Sequence, residues 1–250
     1  EVFYELFETS NNSIKYYILI SPYCPFDLLI NDIEVPEGTT FYRSGMSIEE
    51  MRATYDNDVS KYNYMISPSA FTTEVFQTSF RINKERLIET GYPRNDILSN
   101  YTKEDVETIK NRMHLPHDKK ILLYAPTWRD NSFNMKGYTF KLEVNFKKWQ
   151  EVLGDEYIVV FKPHYLISNV YQVPNDLSDF VYLMAASADI NDAYLMSDAL
   201  ITDYSSVSFD TLVTSMPVFL YVEDYYAYEA ERGKLLWNLD ELPFSWAMDD

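Results

Sequence analysis

From about residue 119 onward, short apolar runs alternate with amphipathic segments along the chain. Such runs are typical of buried β-strands. They predict strands at Lys120–Ala125, Tyr157–Phe161, Ala199–Thr202 and Pro217–Tyr221. Strands that alternate with helices usually form a parallel sheet covered by helices, so we expect this part to be an open, doubly wound α/β half.

Helical periodicity marks three segments between these strands: Asn145–Leu153, Ile190–Met196 and Ser206–Met216. The first places Phe146, Trp149, Val152 and Leu153 on one face and has Gly154 as its C-cap. The third is expected to bury its apolar positions at i, i+3, i+4 and i+7, namely Phe209, Leu212, Val213 and Met216.

The first hundred residues are less regular. Tyr16–Ile20 and Tyr64–Ile66 are predicted as strands, and Ser47 and Glu50 have the spacing of a capping box. Thr102 and Asp105 repeat that spacing before a helix that we expect Pro116 to end. This helix is predicted to connect two lobes, so we expect domains at residues 1–100 and 101–250.

Charge and composition narrow the possible partners. The chain has 21 Lys and Arg against 39 Asp and Glu, a net charge of −18, which argues against a general nucleic-acid or anionic-membrane surface. An anionic substrate would therefore need a local basic site. Only 6 glycines are present, so a phosphate site is expected to use hydroxyls and helix N-termini rather than a glycine-rich loop.

The sequence has no apolar run long enough to span a bilayer and no basic segment typical of a signal peptide at its start. We expect a cytoplasmic location, with which the single Cys24 agrees because it cannot form an internal disulfide. The chain begins with Glu1 and stops at Asp250 after a loop-like segment, so we expect a fragment with a truncated second lobe.

The stretch Thr202–Ser206 stands at the end of a predicted strand and the start of a predicted helix. Hydroxyls and unpaired backbone N–H groups occur together there, and the helix dipole adds positive potential, which favours a phosphate. The same spacing is also that of an ordinary helix cap formed by Ser205.

Three further residues are candidates for handling phosphate charge. His164 follows the strand Tyr157–Phe161, and ligands of open α/β sheets bind outside such carboxyl ends. Arg129 follows the first strand, and Arg232 follows Glu231 beyond the last one. Histidine suits proton donation and arginine suits phosphate, although a structural histidine and surface arginines would have the same sequence.

Taken in order, six landmarks resemble those of the CDP-glycerol glycerophosphotransferase family, which includes the teichoic-acid polymerases of Gram-positive bacteria. They are Met65–Ser69 with Phe71–Phe76, Gly91–Asp96, Tyr124–Asp130, Pro163–Ser168, Thr202–Ser206 and Arg232–Gly233. The resemblance implies a GT-B fold whose C-terminal lobe, here residues 101–250, holds the CDP-linked donor. It also implies that residues 1–100 are part of the acceptor-side lobe.

The implied reaction is transfer of glycerol phosphate from CDP-glycerol to a hydroxyl of a wall or capsule polymer, or of a lipid-linked acceptor, with loss of CMP. The implied catalytic residues are His164, Arg129 and Arg232. The implied substrate-binding residues are Thr127, Thr202, Asp203, Ser205, Ser206, Arg94, Asn95 and Glu231. No metal or cofactor is expected, and Asp56-Asn57-Asp58, which resembles a metal motif of another transferase fold, is expected to be a solvated turn.

Two departures from the family bear on this expectation. The Trp-His-Gly-Thr-Pro-Leu-Lys motif, whose His is thought to act as the base, does not occur in the sequence. The usual Pro-Gly after the Arg-Gly landmark is replaced by Leu242-Pro243-Phe244. The alternatives are therefore a CDP-ribitol or other polyol-phosphate transferase, a GT-B sugar transferase or epimerase, and a catalytically inactive nucleotide-binding module.

Family members act at the inner face of the membrane, so the resemblance also implies peripheral association of this protein with the membrane.

Overall fold

The computed structural model describes residues 4–7, 16–19, 48–127, 133–134, 137–138, 144–163, 171–185, 187–232 and 238–248. The chain divides into two compact units. The first contains Glu1–Arg94 and Tyr228–Leu236, and the second contains Asn95–Ala227 and Trp237–Asp250. The helix predicted to connect two lobes lies wholly within the second unit.

Within the described residues, the first unit contains two small sheets, two whole helices and the end of a third helix, which is given below. β1 (Tyr4–Phe7) pairs antiparallel with β2 (Tyr16–Leu19), and β3 (Met65–Ser67) pairs parallel with β4 (Leu87–Glu89). The whole helices are α1 (Ile48–Val59) and α2 (Ala70–Ser79). Val59, Tyr62, Met65, Phe76, Phe80 and Ile82 form the buried core of this unit.

The second unit is built on a six-stranded sheet in which every pairing is parallel. Its strands are β5 (Lys120–Tyr124), β8 (Tyr157–Phe161), β9 (Val181–Leu183), β10 (Ala199–Thr202), β11 (Val218–Tyr221) and β12 (Ser245–Ala247). A short ribbon of β6 (Phe133–Asn134) and β7 (Gly137–Tyr138) lies between β5 and β8 in the chain. The parallel sheet confirms the predicted architecture.

The strand order across the sheet is β12-β11-β10-β5-β8-β9. In chain order, β5, β8 and β9 follow one another across the sheet in one direction. The later strands β10, β11 and β12 follow one another from β5 in the opposite direction. Neighbouring β5 and β10 therefore form the topological switch point of the doubly wound fold, where loops diverge and leave a crevice for a ligand.

Five helices belong wholly or partly to the second unit: α3 (Lys103–Arg112), α4 (Phe146–Leu153), α5 (Ile190–Met196), α6 (Val207–Asp210) and α7 (Tyr225–Arg232), which continues into the first unit. One face of the sheet packs its aromatic side chains under α4. Tyr124 stacks on Phe161 with ring centroids 5.4 Å apart, and Phe146 meets Phe161 edge-on at 5.5 Å. This packing fixes the carboxyl ends of β5 and β8.

The helix predicted at Asn145–Leu153 was right in extent and partly wrong in the face assigned. α4 begins after the N-cap Asn145 and ends before Gly154, as predicted. Phe146 is buried and Trp149 and Leu153 pack beside it, but Val152 is 75% exposed. At about 100° per residue, Val152 lies 60° or more from these three positions, which places it outside the buried stripe.

The helix predicted at Ser206–Met216 is the clearest correction. It is a four-residue α6 followed by the 3₁₀ segment Thr211–Thr214. Met216 is buried as predicted, but Phe209, Leu212 and Val213 are 37%, 43% and 48% exposed. The buried positions are instead the polar ones, Ser208, Asp210 and Thr211, because each forms hydrogen bonds inside the protein.

α3 begins at the predicted capping box: Asp105 N donates to Thr102 Oγ1, and Thr102 N donates to Asp105 Oδ2 at 2.7 Å. The helix ends at Arg112, before Pro116. His114 adopts a left-handed conformation with φ of 54°, and Leu115 N donates to Lys110 O. This left-handed residue, rather than the proline, terminates the helix.

Several smaller expectations have definite outcomes. β9 and β12 were not predicted; both have three residues, too few for a clear pattern. Asp56-Asn57-Asp58 was expected to be a solvated turn, but it lies in the C-terminal part of the helix α1. Ser47, Cys24 and the segments 20–25 and 37–40 lie outside the described residues. In the part of the chain that is described, no helix is long and apolar enough to cross a membrane.

Candidate functional site

The carboxyl ends of β5 and β10 lie side by side at the switch point. Ala125 N donates to Ile201 O at 3.0 Å, which continues the parallel pairing by one residue past β5. In the opposite direction, the hydroxyl of Thr202 donates to Ala125 O at 2.7 Å. Thr202 is fully buried, so its hydroxyl is committed to joining the two strand ends.

Beyond the strand ends, Thr127 and Asp203 join the two diverging loops. Thr127 N donates to both carboxylate oxygens of Asp203, at 2.8 Å to Oδ1 and 3.0 Å to Oδ2, and Thr127 Oγ1 also donates to Oδ1. Asp203 is 5% exposed. Hydrogen bonds to an ionised acceptor are stronger than neutral ones, so this contact fixes the crevice between the loops.

The loop from Asp203 into α6 is held by polar contacts. Tyr204 donates through its hydroxyl to Asp224 Oδ1 at 3.1 Å. Ser205 Oγ accepts from Val207 N at 3.5 Å, the long limit for a hydrogen bond, and Ser206 makes no side-chain cap. The cap interpretation of Ser205 therefore rests on one long contact.

Lys162 is a cation at the end of β8 that the sequence analysis did not select. Its backbone N donates to Tyr124 O at 2.9 Å, and its Nζ approaches Ala185 O at 3.4 Å. Burial lowers the pKa of the Lys162 amine, while the nearby Asp189 carboxylate acts in the opposite direction. A lysine directly before the Pro163-His164 landmark was the available signal.

The landmark Gly91–Asp96 forms a turn and a 3₁₀ segment, Pro93–Ser99. Gly91 has φ of 78°, a conformation that glycine adopts at little cost. The Arg94 guanidinium lies over the Tyr92 ring at 4.7 Å, within the first unit. Asn95, which belongs to the second unit, donates from Nδ2 to Asp210 Oδ1 at 2.7 Å.

The described residues thus bring together Thr127, Thr202 and Asp203, with Ser205 and Ser206 following in the same loop. Three of the partners were missed by sequence reasoning: Asp210, Asp224 and Tyr194, whose hydroxyl lies 3.5 Å from Asp210 Oδ2. Asp210 lay in a helix judged by its apolar positions alone, so its polar character was overlooked.

His164 and Arg129 lie outside the described residues, as do the side chains of Glu231 and Arg232, and their roles stay predictions.

A groove of about 460 Å³ lies elsewhere in the second unit, at the carboxyl end of β9. Arg112, Tyr182, Asp189 and Asp192 line it together with small and apolar residues. Arg112 is paired with Asp192 at 2.5 Å, so its charge is already neutralised. The nearby Lys162 amine approaches the groove-lining Ala185 O at 3.4 Å. Across the ranges that the structure describes, no three His, Cys, Asp or Glu residues cluster as metal ligands.

Comparison with known proteins identifies the family. The family described as CDP-Glycerol:Poly(glycerophosphate) glycerophosphotransferase matches residues 29–247. The chain belongs to this family. The resemblance predicted from the ordered landmarks is confirmed, and in this member of the family the landmark Thr202–Ser206 stands at the switch point.

Among its relatives, the teichoic acid poly(glycerol phosphate) polymerase of Bacillus subtilis is 40% identical over 210 residues, 79% of this chain and 28% of the relative. The corresponding polymerase of Staphylococcus epidermidis is 35% identical over 88% of this chain and 30% of the relative. The chain therefore spans less than a third of the length of these two polymerases.

A solved structure of the wall teichoic acid polymerase TagF matches with a TM-score of 0.77 and 34% identity, over 85% of this chain and 53% of that one. A variant of TagF soaked with CDPG matches with a TM-score of 0.81 over 97% of this chain and 58% of that one. These matches confirm the expected α/β fold of GT-B type.

Proposed function

We propose that the protein transfers glycerol phosphate from CDP-glycerol to a hydroxyl of a teichoic-acid-type wall or capsule polymer and releases CMP. The observation that carries the proposal is the pairing of two family landmarks at one switch point, through Thr127 and Asp203. Ligands of doubly wound folds bind at this place. The family and the names of the relatives supply the identity of the donor.

In the proposed reaction, the acceptor hydroxyl oxygen attacks the β-phosphorus of CDP-glycerol, the bond from that phosphorus to the bridging oxygen of CMP breaks, and the hydroxyl proton is released to solvent. His164 hydrogen-bonds or protonates a phosphate oxygen, and Arg129 and Arg232 offset the charge that develops on CMP. Ser205, Ser206 and the neighbouring N–H groups contact the diphosphate, with Arg94 and Glu231 as further substrate contacts. Neither a metal nor a cofactor takes part. The reaction takes place at the inner face of the membrane, where the acceptor is presented to a peripherally bound enzyme.

The test is CMP release by the full-length protein, with CDP-glycerol and CDP-ribitol supplied in parallel to a glycerol-phosphate acceptor. We expect a higher kcat/KM with CDP-glycerol, since the glycerol-phosphate polymerase of Bacillus subtilis is 40% identical and a ribitol-phosphate polymerase 31%. His164→Ala should lower kcat by about 10²–10⁴-fold, the usual contribution of a positioned acid or base.

His117→Ala is the matched control, because His117 is an exposed histidine paired with Glu107 at 2.7 Å and should leave kcat unchanged. A preference for CDP-ribitol would change the donor assignment. Absence of CMP release from both donors would leave an inactive nucleotide-binding module as the better description.

A further inference from the structure

The buried side chains of α6 are polar, and its apolar side chains are only partly covered. Phe209 of this helix and the following Leu212 and Val213 are each more than a third exposed, although Phe209 meets the buried Phe244 edge-on with ring centroids 6.0 Å apart. Asp210 and Ser208, by contrast, are 9% and 3% exposed. Hydrophobic burial is non-directional, whereas hydrogen bonds fix orientation, so the position of this helix depends on its buried hydrogen bonds.

Asp210 connects α6 to parts of the second unit that are distant in sequence. Its Oδ1 accepts from Asn95 Nδ2 at 2.7 Å, and its Oδ2 lies 3.5 Å from the hydroxyl of the fully buried Tyr194. Asn95 is 115 residues away in sequence, in the 3₁₀ segment Pro93–Ser99. The contact therefore joins the landmark Gly91–Asp96 to α6, the helix that follows the landmark Thr202–Ser206.

Asp210 is also coupled to the proposed phosphate-binding turn. The backbone N–H groups of Phe209 and Asp210 both point to Ser206 O, at 3.0 and 3.4 Å. A displacement of Asp210 would therefore move Ser206 with it. At its other end, the loop is fixed by Asp203 and Thr127.

We propose that Asn95 is a positioning residue for the donor diphosphate, acting through Asp210 to fix the orientation of the Ser205-Ser206 turn. This inference rests on the proposed function of that turn. Asp210 is buried, so its carboxylate would have little contact with water if Asn95 did not donate to it. Loss of the Asn95–Asp210 hydrogen bond is therefore costly in free energy. The Nδ2 of Asn95 is committed to Asp210, whereas its Oδ1 is buried without a hydrogen-bond partner among the described residues.

The test is an exchange of the two side chains in the full-length protein. Asn95→Asp removes the amide donor and places a second carboxylate beside Asp210. The two carboxylates repel each other, so we expect the donor KM to rise about tenfold or more, with a smaller change in kcat. Asp210→Asn in the same chain restores a carboxylate–amide pair with its direction reversed. The double variant should return the donor KM to within about threefold of the parent.

Two measurements separate this inference from the proposed function. Hydrogen exchange of the amides of residues 205–210 should be faster in Asn95→Asp and restored in the double variant, and this readout needs no turnover. CDP affinity should follow the same order if the turn contacts the diphosphate. If the variants show this exchange pattern but the parent protein releases no CMP, only the proposed function is contradicted.

Asn83→Asp is the control for the added charge, because Asn83 is exposed and its side chain caps nothing. If Asn95→Asp does not fold, Asn95→Ala tests the same contact by deletion. The inference is overturned if either variant lowers the melting temperature while the donor KM and the exchange of residues 205–210 stay at parent values. It is equally overturned if the double variant is no better than Asn95→Asp.

Discussion

At the scale of single residues, the strand ends could be predicted and their partners could not. Apolar runs that stop at a polar residue placed Thr202 and Asp203 at a sheet edge. Nothing in the local pattern indicated that the Asp203 carboxylate is taken up by Thr127, 76 residues earlier. A hydrogen bond between distant residues depends on strand order, which short segments do not encode.

The buried carboxylate of Asp203 leads to the first stability prediction. Asp203→Asn replaces one acceptor oxygen by an NH₂ group, which would face the N–H and O–H donors of Thr127. A buried donor left without its partner costs about 1–3 kcal/mol, so the free energy of unfolding in urea should fall by that amount.

Asp58→Asn is the control, since Asp58 is partly exposed and pairs with Lys61 on the surface of the first unit. Its effect should stay within about 0.5 kcal/mol. Equal effects of the two substitutions would show that the Asp203 contact contributes nothing beyond an ordinary surface charge.

At the scale of elements, the length and place of each long strand followed from the apolar runs, while helix faces did not always follow. The apolar spacing in α6 and the next segment predicted a buried stripe, yet hydrogen bonds of Ser208, Asp210 and Thr211 place the opposite side inward. The capping box of α3 was predicted correctly because both of its partners lie within three residues. Local contacts can be read from sequence, and tertiary ones override periodicity.

The capping box predicts a pH dependence. The hydrogen bonds from the side chain and then the backbone of Thr102 lower the pKa of the Asp105 carboxyl below its ordinary value of 3.8. A lowered pKa means that the ionised form is favoured in the folded state, so this contribution is present above pH 3.8 and is lost as the pH falls through the folded pKa.

Asp105→Asn should therefore lower the melting temperature at pH 7, and the difference from the parent should shrink as the pH falls below 3.8. Asp118→Asn, in the exposed loop after the helix, is the comparison and should show no such convergence. A difference between Asp105→Asn and the parent that is the same at pH 7 and in acid would mean that the carboxylate is not the capping group.

At the scale of the whole molecule, the doubly wound class and the place of the crevice were predictable, and the full strand order was not. β9 and β12 occupy the two edges of the sheet and have three residues each, so they leave only a weak pattern. The ordered landmarks carried the family assignment because their sequence order does not depend on the edge strands.

The net charge of −18 predicts how an anionic nucleotide approaches. Long-range repulsion slows the encounter at low salt, and the Debye length shortens from about 30 Å at 0.01 M to about 8 Å at 0.15 M. The association rate constant for CDP should therefore rise between these ionic strengths, as measured by stopped flow. Uncharged cytidine is the control and should show no change; a falling rate with CDP would show that local cations dominate the approach.

The position of Thr127 and Asp203 on opposite sides of the switch point has a consequence for folding. Closing a loop of 76 residues costs chain entropy that no local contact returns. β5 and β8 can pair first because they are near in sequence, whereas β10 must cross back over the sheet before it reaches β5. The crevice is thus among the last parts of the second unit to form, and a chain that has folded only as far as β9 has a sheet but no site.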